Sequence, residues 1–255
     1  MIQTQSSAQT AEQPDAIPFP KVVAVQVCAY VVLVAVSACS PMRDLQGAVH
    51  VAYTTVPVVA AMALFTWCSS LRDGLAGRVI AAVAGALSLA CAVGQSLGAL
   101  FFPVRATGAE GTEPVGFYPQ ETWAAGVVGL LVALVLVSFA RQMAREDRSH
   151  LIRSLSHGVT GGVAMIAAPG WCFLPDLFAG CRAADGGPAL TVAWAGCAVI
   201  AVLAVLLLGI ASYLWARDAN PVEGAAHPWL GIGLMPVMFL GPVVAVAGLI
   251  TTLLV

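Results

Sequence analysis

The chain has 255 residues, of which 60% are hydrophobic and only 9% charged, with a formal net charge of −2. Soluble domains carry roughly 25% charged residues, so lipid rather than water must surround most of these side chains. The near-zero charge excludes a basic nucleic-acid-binding surface, and the length suits one helical bundle with no second sizeable domain.

Residues 1–20 are rich in Gln, Ser, Ala and Thr and carry Pro14, Pro18 and Pro20. This composition predicts a disordered cytoplasmic tail, with the prolines keeping a helix from forming near its end. Residues 21–255 then form a single transmembrane bundle. Seven apolar blocks free of Asp, Glu, Lys and Arg follow: Val22–Cys39, His50–Cys68, Val79–Phe102, Trp123–Ala140, Ser154–Phe173, Leu190–Trp215 and Trp229–Val255. A helix needs roughly 20 apolar residues to cross the hydrocarbon. Backbone polar groups in lipid must be satisfied within the segment, which makes each block a helix. The predicted fold class is all-α, a polytopic membrane bundle of about seven transmembrane helices.

Orientation follows from the basic residues. Lys21, Arg72, Arg78, Arg141, Arg145, Arg148, Arg153 and Arg217 fall on one side, eight of the eleven; Arg43, Arg105 and Arg182 fall on the other. The positive-inside rule makes the richer side cytoplasmic. The N-terminus is then cytoplasmic and the C-terminus extracytoplasmic. Trp67, Tyr213, Trp215 and Trp229 fit an inner aromatic belt; Phe101, Phe102, Phe117, Tyr118, Trp123, Trp171 and Phe173 fit an outer one. We expect a multi-pass protein of a cell membrane, specifically a bacterial plasma membrane.

Helix three carries a row of small residues four apart: Ala82, Ala86, Ala90, Gly94 and Gly98. Small side chains let helix backbones approach closely where lipid cancels the hydrophobic drive, so this row predicts a packing face. Gly158 and Gly162 repeat the spacing on helix five. Pro57, Pro169, Pro236 and Pro242 each leave a backbone carbonyl without its helical donor. Helix seven, with Gly231, Gly233, Pro236, Gly241 and Pro242, is the segment expected to be irregular.

Cys172 and Cys181 fall in or beside the fifth connection, on the side that permits disulfides, and are read as a bonded pair bracing an external loop. Val36-Ser37-Ala38-Cys39 matches the pattern of a bacterial lipoprotein processing site. The long, Pro-rich segment before it is unlike a signal peptide. His150 and His157 on one helix would stand two turns apart, about 10.5 Å, too far to share an ion. His157 with His227 is the one pair whose depth would suit a haem. Boundary histidines in water are the simpler reading, and the sequence implies no metal, no cofactor and no catalytic residue. Helix seven has no Lys, so the helix count is not that of a retinal protein.

Three function classes remain. A transporter or permease for a small solute fits the interrupted helix seven, and Gln26 and Gln95, the strongly polar side chains inside helices, would line its path. A scaffold or accessory subunit of a membrane complex fits the small-residue faces. Its partners would be membrane lipids and another membrane protein. A membrane enzyme with an outer-boundary site, using Glu110, Glu113, Glu121 or Asp176, is the least favoured. The absence of charge within the spans argues against a proton relay in any of them.

Overall fold

A computed structural model describes residues 18–39, 48–68, 74–94, 118–144, 151–182, 187–218 and 227–254. Of these, 96% are helical, and no strand occurs among them. The elements are α1 (Phe19–Ala38), α2 (Ala48–Cys68), α3 (Gly74–Gly94), α4 (Pro119–Met143), α5 (Leu151–Ala167), a 3-10 turn (Ala168–Phe173), α6 (Leu174–Arg182), α7 (Pro188–Asp218), α8 (Pro228–Phe239) and α9 (Gly241–Leu254). Six apolar helical spans are long enough to cross a membrane, and α2, with 21 residues, is compatible with a seventh. The protein is therefore an integral membrane protein with an all-α polytopic bundle.

Proline starts several of these helices. α1 has Pro20 in its first turn, while α4, α7 and α8 begin on Pro119, Pro188 and Pro228. At a helix start the missing N–H is one that has no helical partner anyway, and the fixed φ suits the first turn. α1 thus begins at Phe19, inside the segment that the sequence assigns to the tail. α4 is fixed further by Glu121, whose carboxylate accepts the Tyr118 backbone N–H at 2.8 Å. His227, just before α8, sits at φ 54°, a left-handed conformation that non-glycine residues adopt only when their surroundings impose it.

The centre of the bundle is made of two interrupted spans. One runs α5, 3-10 turn, α6; the other runs α8, α9. Two thirds of the first and half of the second are buried, against about a tenth for α4 and α7. α3 packs most extensively along α5, and α1 along α8. The main core joins Met62 and Phe65 of α2, Trp123 of α4, Trp171–Leu174 and Leu234–Met238. The apolar side chains of α4 and α7, such as Val128, Leu136, Leu206 and Leu207, point outward, where lipid is the solvent.

The face that α3 turns to its neighbours is Gly85, Ser88 and Ala92. A Cβ on Gly85 would meet Met62 Cε at 2.7 Å and Met165 Cβ at 3.0 Å, so only glycine admits both methionines there. In the row Ala82–Gly98, Ala82 and Ala90 are half-buried, Ala86 and Gly94 are exposed, and Gly98 lies outside the described residues.

Two expectations about the outer boundary need correction. Trp123, Trp171 and Phe173 do not form an outer aromatic belt: each is 2–3% exposed, in the core. Both indole N–H groups find acceptors within the bundle, which removes the usual reason for an indole to sit at the headgroups. The segment after Phe173 is not an open loop either. α6 continues the helical path to Arg182, and Cys172 is a free, buried thiol beside Thr55 Oγ1, at 4.0 Å. Cys172 faces α2 rather than the external side, so it does not form the expected disulfide; the Cys181 side chain lies outside the described residues.

Candidate functional site

Each central span breaks for a local covalent reason. In Ala168-Pro169-Gly170-Trp171, Pro169 has no N–H to return to Met165, and the chain tightens into a 3-10 turn over Ala168–Phe173. In Phe239-Leu240-Gly241-Pro242, Pro242 has no N–H to return to Met238. The helix turns at Leu240, whose N–H reaches Pro236 O at 3.2 Å and Val237 O at 3.3 Å. Leu240 stands halfway along the 27-residue span Pro228–Leu254.

The two breaks meet. A Cβ on Gly170 would lie 2.9 Å from Gly241 Cα and closer still to the Gly241 carbonyl. A Cβ on Gly241 would overlap the Ala167 carbonyl and reach within 3.4 Å of Gly170 N. Glycine is required at both positions because backbone crosses backbone.

Breaking a helix in a membrane bares carbonyl groups, and each unsatisfied one costs several kcal/mol in hydrocarbon. Carbonyls beside each break also accept from side chains of other elements. Trp171 Nε1 donates to Val237 O at 2.7 Å, tying the first break to the second. Ser88 Oγ donates to Ile166 O at 2.7 Å, just before the 3-10 turn. Trp123 Nε1 in turn donates to Ser88 Oγ at 3.1 Å, so the Ile166 carbonyl ends a chain that starts on α4 and passes through α3.

A set of neutral polar side chains flanks the crossing. Gln26 of α1 is buried, and Tyr30, one turn on, packs its ring 5.9 Å from the Trp171 ring. Tyr30 Oη is buried without a close hydrogen bond, and Gln26 is the polar group it faces. Thr54 and Thr55 of α2 border Cys172. None of the six carries a formal charge at neutral pH, so this environment can hold a neutral solute or a coordinated dipole more readily than an unpaired ion. Gln95 lies outside the described residues, so only Gln26 of the two path residues can be placed.

No family model, curated protein or solved structure matches this chain. The site must therefore be read from its own geometry. At the end of the bundle where α4 begins, Gln120 Nε2 donates to Asp176 Oδ2 at 2.7 Å, linking α4 to α6, while Glu121 is engaged in capping α4. Glu110 and Glu113 lie outside the described residues. Of the four candidate carboxylates, Asp176 thus joins two helices and Glu121 caps the start of its own. His227 opens α8 with its ring edge-on to Trp229 at 5.8 Å, and His150 lies outside the described residues.

Gln26 stands out in the sequence by its polarity inside an apolar block, and the structure buries it. Tyr30, Ser88 and Trp171 do not stand out in the same way. Ser88 is one small residue among many in α3. Trp171 follows Pro169-Gly170, but its indole serves Val237 in the other span, so no local pattern announces the bond.

Proposed function

We propose that this protein is a transporter or permease for a small neutral solute, working at the crossing of its two interrupted spans. The observation that carries this reading is the mid-span meeting of Gly170 and Gly241. Interrupted helices that meet near the bilayer midplane supply transporters with both binding groups and hinges. Here the 3-10 turn and the Leu240 break are the hinges, and Gln26, Tyr30, Thr54 and Thr55 supply donors and acceptors beside them. Among the described residues no buried side chain carries a formal charge, which favours an uncharged solute. The tight contact of the two glycines corresponds to a closed state, in which neither side has access.

Liposomes containing the purified protein test this directly. After a hyperosmotic shock with a panel of neutral solutes (urea, glycerol, erythritol, acetamide), light scattering should recover faster than in protein-free vesicles for at least one solute. Gln26→Ala should remove that acceleration without changing the elution profile in detergent. Recovery rates equal to those of empty vesicles across the panel, for folded protein, would overturn the reading. A stoichiometric membrane-protein partner retained through gentle purification would then favour the scaffold alternative.

A further inference from the structure

A groove of about 730 Å³ runs along the outside of the bundle between α1, α2 and α8. We infer that it seats one acyl chain of an anionic phospholipid, with the phosphate of that lipid held by Lys21. This does not rest on the transport reading.

The groove has one charged end and an apolar body. Lys21 stands at its mouth, with its ammonium 5.8 Å from the centroid of the Trp229 ring, while Cys28, Leu33, Pro57 and Leu234 line the deeper part. The His227 ring packs edge-on against Trp229, 5.8 Å between centroids. Among the described residues, the contact of the Lys21 ammonium is with the Trp229 ring, which places its positive charge at the end of the groove.

Its dimensions fit one leaflet. From Lys21 to Leu33 the groove follows twelve residues of α1, about 18 Å at 1.5 Å per residue. Half of a hydrocarbon core is about 15 Å. A chain anchored at Lys21 therefore ends near the bilayer centre, beside Leu33 and Leu234. The volume lies within the roughly 300–1,000 Å³ typical of small-molecule sites. The charge distribution along the sequence assigns the Lys21 end to the cytoplasmic side, where anionic lipids attract basic residues. A zwitterionic lipid would fill the same groove but gain less from Lys21.

Native mass spectrometry of delipidated protein, titrated with dioleoyl phosphatidylglycerol or dioleoyl phosphatidylcholine, tests the proposal. One phosphatidylglycerol should bind in preference to phosphatidylcholine. Lys21→Gln should weaken phosphatidylglycerol binding about fivefold, as expected for one cation near a membrane surface. Phosphatidylcholine should be unaffected by that change, and Lys21→Arg should restore the preference. Ala60→Phe, which fills the groove, should displace both lipids while the protein still elutes as a single peak. Equal binding of the two lipids, or a preference unchanged by Lys21→Gln, would overturn the assignment. So would lipid retention unaffected by Ala60→Phe. Oleate binding that outcompetes phosphatidylglycerol would identify a free fatty acid instead and overturn the phospholipid assignment.

Discussion

Replacing Gly170 or Gly241 by alanine should cost more than any other glycine-to-alanine change in the described helices. In an open helix the change is favourable by about 0.8–1.0 kcal/mol, because alanine loses less backbone freedom. Gly129, Gly196 and Gly209 have nothing within 4 Å of a new Cβ and should show that gain or no change. At Gly170 the new methyl falls on the Gly241 backbone, 2.9 Å from its Cα and nearer its carbonyl; at Gly241 it falls on the Ala167 carbonyl. Backbone cannot rotate aside as a side chain can, so the two spans must separate. Overpacking of this kind costs about 1–3 kcal/mol and occasionally more. We expect a net loss of about 2–3 kcal/mol, a fall in melting temperature of roughly 5–10 °C for a chain of this size. Gly162→Ala is the graded control. Its Cβ meets Leu134 Cδ2 at 2.6 Å, the far end of a flexible side chain, so the loss should be smaller. Size-exclusion chromatography of detergent-solubilised protein after stepwise heating gives the comparison. Gly170→Ala and Gly241→Ala proteins that survive heating as well as wild type, or as well as Gly196→Ala, would refute a backbone-to-backbone crossing.

Other expectations follow from the donors that cover the breaks. Trp171→Phe keeps the ring but leaves Val237 O with only the longer bond from Leu240 N–H, at 3.3 Å, and should destabilise by about 1 kcal/mol; an unchanged melting curve would count against the indole bond. Ser88→Ala and Trp123→Phe should be non-additive in a double-mutant cycle, because both remove parts of one chain ending on Ile166 O; simple additivity would break the chain into unrelated contacts. A variant keeping only Cys172 and Cys181, denatured without reductant, should take up two maleimide labels per chain, since Cys172 is free; uptake of none would restore the disulfide. A C-terminal tag should be reached by an impermeant protease from outside intact cells, and cleavage only after permeabilisation would reverse the topology derived from Lys and Arg.

Much of the architecture was legible because lipid makes a severe demand on sequence. A charge within a span is costly, so the blocks without Asp, Glu, Lys or Arg mark the helices with little ambiguity. Pro236, Gly241 and Pro242 likewise marked an irregular seventh span, and the break occurs at Leu240 beside them. Less could be read where several faces of a helix look alike. α3 is so rich in alanine and glycine that it presents more than one row of small residues. The two methionines, Met62 and Met165, make Gly85 a buried position, and nothing local to α3 announces them. The aromatic residues misled for a related reason. Trp123 and Trp171 lie near block ends, as interfacial tryptophans do, but their N–H groups answer carbonyl and hydroxyl oxygens that exist only once α3, α5 and α8 are packed. The same long-range origin hides Tyr30, an ordinary aromatic in α1 until the Trp171 ring comes beside it.

The order of the donors along the chain bears on how such a bundle can be built. Ser88 precedes Ile166, and Trp171 precedes Val237. Synthesis from the N-terminus therefore brings each side-chain donor to the bilayer before its acceptor carbonyl. The first interruption can close against α3 while α7 is still being made, and its indole is then waiting for the second. With this arrangement the bonds that tie each interruption to its neighbours can form in the order in which the chain is made.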